Sequence, residues 1–130
     1  MLVVDSSVLL SALLPDEQRP DLEKLFAAHD EIIAPSLLWV ELRNIVLSAE
    51  RRKRLDRTMA DALLDTLDDL AISLDHSPDS ERVLRLARRH DLTAYDALYL
   101  ELALRTGSTL ATLDKALRRA AKAEALSLAP

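Results

Sequence analysis

Short apolar, partly β-branched runs alternate with longer stretches of helical periodicity, and this alternation restricts the fold more than any other feature of the chain. Strands are expected at Leu2–Asp5, Glu31–Ala34, Ala71–Leu74, Thr109–Thr112 and Ala125–Leu128. Between them, helices are expected at about Ser7–Leu14, Pro20–Ala28, Ser36–Arg52, Arg57–Leu70, Asp79–Arg89, Ala94–Thr106 and Asp114–Ala121. Such an order predicts βαβ units, hence an α/β domain with a parallel sheet of about five strands and helices on both faces. In an open sheet of this kind, ligands bind beyond the carboxyl ends of the strands, where the strand order reverses.

The 130 residues suit a single domain, 1–130, with 49% apolar and 30% charged residues. No apolar run is long enough to span a bilayer, the first residues lack the pattern of a secretory signal, and there is no cysteine. Disulfides and thiolate metal sites are thereby excluded, and a cytoplasmic location is expected. A single glycine, Gly107, leaves no phosphate-cradling loop. The net charge of −5 excludes a uniformly basic nucleic-acid coat, but not local basic patches.

Most of the acids read as solvated surface; four do not. Asp5, in "MLVVDSSVLL", ends an apolar run and opens a helix, where it either caps that helix or joins a chemical site. Glu41 lies on a helix at about 40° from Leu37, with Ile45 at about 80° and Leu38 at about 100°, so it falls inside the apolar stripe. A carboxylate there needs a cation, a donor or a raised pKa, and Asn44, one turn on, could orient it. Asp96, in "LTAYDALYLELAL", either completes a capping arrangement with Thr93 or projects into a pocket. Asp114, in "TLATLDKAL", again follows a strand and starts a helix, with the Thr112 hydroxyl two residues before it. As a set, the four are expected to converge on one sheet edge. Clustered carboxylates without Cys or His suit Mg²⁺ or Mn²⁺, a site that orients phosphates and activates water.

With "VVDSSVLL", "APSLLWVELRNIV", "LTAYDALYLELAL" and "LATLDKAL" in this order, the sequence resembles the PIN-domain ribonucleases, and among them the VapC-type toxins of bacterial toxin–antitoxin pairs. The resemblance implies a PIN-like single domain and a Mg²⁺- or Mn²⁺-dependent endoribonuclease. It further implies an RNA substrate, a cognate antitoxin and a homodimer. By position, Asp5 and Asp96 match direct metal ligands, Glu41 the second acid that shapes the site, and Asp114 the fourth acid. Thr112 matches the hydroxyl residue two before the fourth acid, and Ser7 a small hydroxyl residue close to the site. One departure stands out: many relatives carry a further acid and an aromatic just after the fourth acid, where this chain has Ala116 and Leu117.

Two rival functions are weighed beside it. An aspartyl-phosphate phosphatase or receiver-like protein would use Asp5 as a nucleophile, but the phosphatase pattern wants a second Asp where Ser7 stands. A catalytically silent PIN-like binding module would be expected to lack one of the four acids. Elsewhere, His29, His76 and His90 read as surface residues, and Trp39 and Tyr99 as core, with Trp39 alternatively facing a partner. The basic run Arg51 to Arg54 closes a helix, where cations complement the dipole. Lys115, Arg118, Arg119 and Lys122 share one face of the last helix, either solvated or tracking an RNA backbone. Setting the four acids aside moves the net charge from −5 to −1, so the total does not forbid RNA.

Overall fold

A computed structural model describes residues 1–13 and 21–130; the expected helical residues Leu14 and Pro20 lie outside these. The sheet contains β1 (Leu2–Val4), β2 (Ile32–Pro35), β3 (Ile72–Asp75) and β4 (Thr109–Ala111), in the spatial order β3-β2-β1-β4. All pairings are parallel, with Leu2 opposite both Ile32 and Thr109, and Ile32 opposite Ile72. Every residue of β1 and β2 is buried, which is why these runs are continuously apolar rather than alternating.

Seven helices are described: α1 (Ser6–Leu13), α2 (Leu22–Ala27), α3 (Leu37–Arg51), α4 (Arg57–Asp68), α5 (Ser80–His90), α6 (Ala94–Thr106) and α7 (Lys115–Ala123). Helix α6 touches β1, β2 and β4 and has α5 and α7 packed against it, while α3 joins α1 to α4. Asp21, Asp56, Asp79, Thr93 and Asp114 cap helices by accepting a backbone N–H. Gly107 ends α6 at φ +64°, a left-handed conformation that only glycine adopts without steric cost. None of the described helices is long and apolar enough to cross a membrane.

The fifth expected strand, Ala125–Leu128, is reduced to one parallel bridge between Leu110 and Leu128. Its start is taken by the end of α7, where Ala125 sits at φ +57° and donates to Lys122 O while Leu126 donates to Ala121 O. Those two bonds form a Schellman termination, so the residues close a helix instead of entering the sheet.

Trp39 is not in the core. It is 51% exposed, at the flank of the buried face that Leu38, Leu42 and Val46 form on α3. The Arg43 guanidinium lies 3.7 Å from the Trp39 ring centroid and reaches Asp68 at 2.6 Å, tying α3 to α4. His90 is not a surface histidine either. Its side chain is 10% exposed and meets Glu124 at 3.0 Å, which joins the ends of α5 and α7.

One buried acid has a structural role. Glu101 on α6 is completely inaccessible, and it accepts from Arg105 Nε at 2.7 Å and from the Asp79 amide at 3.4 Å. Arg105 also reaches Asp75 at 2.7 Å, so its planar fork bridges α6 and β3. The same guanidinium holds the Asp75 carboxyl below the usual range. Removing one partner of a buried pair leaves an uncompensated charge, so Arg105→Ala should destabilise the fold by about 3 kcal/mol. Urea denaturation at neutral pH measures this; a loss under about 1 kcal/mol, the level of an exposed pair, would contradict it.

Candidate active site

The strand order reverses at β1 and β4: from β1 the chain proceeds towards β2 and β3, and then crosses back to the other side of β1. Asp5 leaves the carboxyl end of β1, and Thr112 and Asp114 leave that of β4. This is where a parallel sheet opens a crevice.

Asp5 is 5% exposed, and both of its carboxylate oxygens accept hydrogen bonds. Its Oδ1 accepts from the Ser7 hydroxyl at 2.5 Å and from the Val8 amide at 3.2 Å, and its Oδ2 accepts from the Thr112 hydroxyl. Each hydroxyl in turn accepts an amide of the turn after β4: Leu113 N–H to Ser7 Oγ and Asp114 N–H to Thr112 Oγ1, both 3.0 Å. Two parallel relays therefore fasten the β4–α7 turn to the β1 carboxylate. The Val8 bond makes Asp5 a helix cap as well, so the two readings of this residue are not exclusive.

Glu41, in the second turn of α3, is half-buried and accepts from the Tyr99 hydroxyl of α6. Asn44 does not contribute: it is exposed and makes no described bond to Glu41, because the true buried face of α3 leaves it on the solvent side. Asp96 is at the third position of α6, and its amide donates to Thr93 Oγ1 at 3.1 Å. Asp114 caps α7 through the Leu117 amide at 2.8 Å.

The electrostatics tie the set together. Burial raises the pKa of Asp5 first, partly offset by the Ser7, Thr112 and Val8 donors, with the Asp114 charge raising it further. Glu41 is raised by burial, against the Tyr99 donor, and then by the charges of Asp5 and Asp96. Asp96 is raised by burial and then by Asp114, with Asp5 adding to it. Burial and the neighbouring Glu41 push Tyr99 far up, so its phenol stays protonated and donates. Four acids from four elements thus feel one another.

Among the described residues, no three His, Cys, Asp or Glu side chains form a ready-made metal cage. The donor chemistry nonetheless fits a hard divalent cation. All donors are oxygens, and Mg²⁺ keeps most of its water while using only one or two carboxylates. Counting acceptor sites, Oδ1 of Asp5 is filled and Oδ2 has one left.

The basic face of α7 divides. Arg118 turns back to donate to Thr112 O at 3.0 Å, bracing the end of β4, and Arg119 reaches His90 O at 3.4 Å. Lys115 and Lys122 are exposed. Tyr99 and Glu101 were the functional and structural residues that sequence reasoning missed. The signals were a buried phenol, whose hydroxyl always needs a partner, and an arginine four residues after a glutamate.

An α/β domain with a carboxylate cluster at its strand-order reversal defines a class of acid-lined hydrolytic scaffolds. The PIN domain family model matches residues 2–123, and the chain belongs to that family. Ribonuclease VapC3 of Pyrobaculum aerophilum is 29% identical over 119 residues, covering 89% of this chain and 91% of that protein. The crystal structure of PAE2754 from Pyrobaculum aerophilum has a TM-score of 0.73 at 26% identity, over 92% of this chain and 83% of the other. The crystal structure of FitAcB from Neisseria gonorrhoeae, at 18% identity, shares the fold with a TM-score of 0.71 over 100% and 97% of the two chains.

A carboxyl whose folded-state pKa lies above its unfolded value binds its proton more tightly when folded. Stability is therefore gained as pH falls from above that raised value towards the unfolded one. The metal-free protein should melt at higher temperature near pH 5 than at pH 8. Asp5→Asn, which removes the charge but keeps the shape, should raise the neutral-pH Tm by about 3–5 °C. Differential scanning calorimetry with chelator present checks both; a lower Tm for Asp5→Asn would contradict the repulsion.

Proposed function

We propose that this protein is a divalent-metal-dependent endoribonuclease that hydrolyses RNA phosphodiester bonds as the toxin of a VapBC-like toxin–antitoxin pair. The observation that carries the reading is the gathering of four acids beyond the carboxyl edge of the sheet: Asp114 raises the pKa of Asp5 and Asp96, Asp5 that of Asp96, and Asp5 and Asp96 that of Glu41. The named ribonuclease among its relatives supports the substrate class. The resemblance to VapC-type toxins supports a cognate antitoxin, a homodimer and a cytoplasmic place of action.

Asp5 and Asp96 would hold Mg²⁺ or Mn²⁺, which supplies neutralisation of phosphate charge and acidification of water. The remaining work belongs to the side chains. Ser7 and Thr112 fix the Asp5 carboxylate and leave one acceptor site of Oδ2 free. Glu41, held by the Tyr99 hydroxyl, retains one free oxygen to accept a hydrogen bond from the attacking water. Asp114 stays with its helix and extends the acidic wall. The aspartyl-phosphate alternative requires an unencumbered Asp5 nucleophile, whereas both its oxygens are engaged by hydroxyls in a buried position.

Purified protein should cleave RNA with Mg²⁺ or Mn²⁺, lose all cleavage in EDTA and regain it on metal addition. Asp96→Asn should lower cleavage by more than the roughly 10–100-fold that loss of an outer-shell partner costs, with the melting curve preserved. Full cleavage in EDTA would overturn the metal mechanism.

A further inference from the structure

We propose that Tyr95 is the platform on which an unpaired base of the RNA stacks next to the scissile bond. The inference rests on the ribonuclease reading above and adds to it a recognition residue and a demand for single-stranded substrate.

The chain has only four aromatic residues, Phe26, Trp39, Tyr95 and Tyr99. Tyr99 is buried against Glu41, and Trp39 is covered on one face by the Arg43 guanidinium. Tyr95 is the exposed one at the site: 61% of it is accessible, and it makes no hydrogen bond among the described residues.

Its position is fixed by the helix. Tyr95 precedes Asp96 directly and lies four residues before Tyr99, so the two rings share one face of α6, with Cβ atoms about 5–6 Å apart. Tyr99 reaches Glu41 from that face. Tyr95 therefore stands one turn nearer the helix N-terminus than the Glu41–Tyr99 pair, directly before Asp96 in the chain.

The surroundings favour a base over a protein surface. Tyr95 is the one exposed large apolar side chain described on α6, with Thr93, Ala94 and Asp96 as its chain neighbours, so the helix offers no continuous apolar strip for a protein contact. A lone ring among polar groups suits a nucleobase, which offers a π-face whatever its sequence and keeps its edges hydrated. The exposed ammonium of Lys115, directly after Asp114, is available to the RNA backbone. In a duplex every base is already stacked, so the platform selects loops and unpaired segments.

The test uses a single-stranded RNA oligonucleotide that the wild-type protein cleaves, together with copies carrying one abasic nucleotide on either side of the cut. Tyr95→Phe keeps the ring and should stay within about threefold of wild type in KM. Tyr95→Ala should raise KM by roughly 5–150-fold with kcat and Tm nearly unchanged. One of the abasic substrates should reproduce that loss for wild type and add nothing to it for Tyr95→Ala. Annealing the complementary strand should suppress cleavage. An unchanged KM for Tyr95→Ala, or an abasic penalty that persists in that variant, overturns the platform. Altered self-association in sedimentation with unchanged KM would make Tyr95 a protein contact instead. A wild-type protein that cleaves no RNA overturns the proposed function and this inference with it, whereas a Tyr95→Ala protein that cleaves with the wild-type KM overturns only the latter.

Discussion

A carboxylate buried at the end of a central strand is the constraint around which the rest of the molecule is arranged. Asp5 cannot be left unpaired in the interior, and the two hydroxyls that satisfy it come from opposite ends of the sequence, Ser7 and Thr112. Because each hydroxyl also accepts an amide from the turn after β4, the groups that solvate Asp5 simultaneously fix where Asp114 begins its helix. Arg118 adds a brace on Thr112 O from the other side. The site is thus held by its own polar network, and loosening one hydroxyl would move two acids.

The molecule treats its buried acids in two opposite ways. Glu101 is given a guanidinium fork and an amide, and its charge is neutralised by Arg105 within the same helix turn. Asp5, Glu41 and Asp96 are given only neutral donors, together with one another's charge, and the pKa of each is raised. Hydrogen bonds position these carboxylates without cancelling them. Acids kept only for stability would be paired like Glu101; these three are left with surplus negative charge, which is what the proposed cation site requires.

The sequence made the framework legible wherever local signals and burial agree. The strands β1 and β2 are fully buried, so their apolar runs are unambiguous, and α6 is bounded by a threonine cap and the single glycine, which gave its limits without error. The strand expected at Ala125–Leu128 was not legible, because a Schellman ending carried by an alanine in the left-handed region has no composition signal. The face of α3 was misplaced by about one residue's rotation, since Leu37, Leu38, Ile45 and Val46 together define a stripe wide enough to be centred in two ways. That shift gave Asn44 a partner it does not have, while Glu41 still fell at the border where it meets Tyr99; Trp39 sits at the flank of the true buried face, where Arg43 rather than the core covers its ring. Which hydroxyl or phenol contacts which acid depends on partners as far as 107 residues apart, and no periodicity reports that.

Those distant contacts follow from one topological fact. The chain lays β2 and β3 on one side of β1, so reaching the free side requires a connection that passes over the strands already placed, and α6 touches β1, β2 and β4 as it makes that passage. A crossing helix is covered on most sides, which explains why α6 lacks the polar face of α5 and α7 and buries Tyr99, Leu100, Glu101, Leu102 and Ala103 in succession. Its first turn is the exception, open at Thr93 to Tyr95 and carrying Asp96 within electrostatic reach of both Asp5 and Asp114. The return to the free edge also makes β4 the neighbour of β1, and only then can Thr112 touch Asp5. The connection that completes the sheet is therefore the same one that assembles the acids, so any sequence change that preserved four acids but prevented the crossover would leave a collection of helix caps and no site.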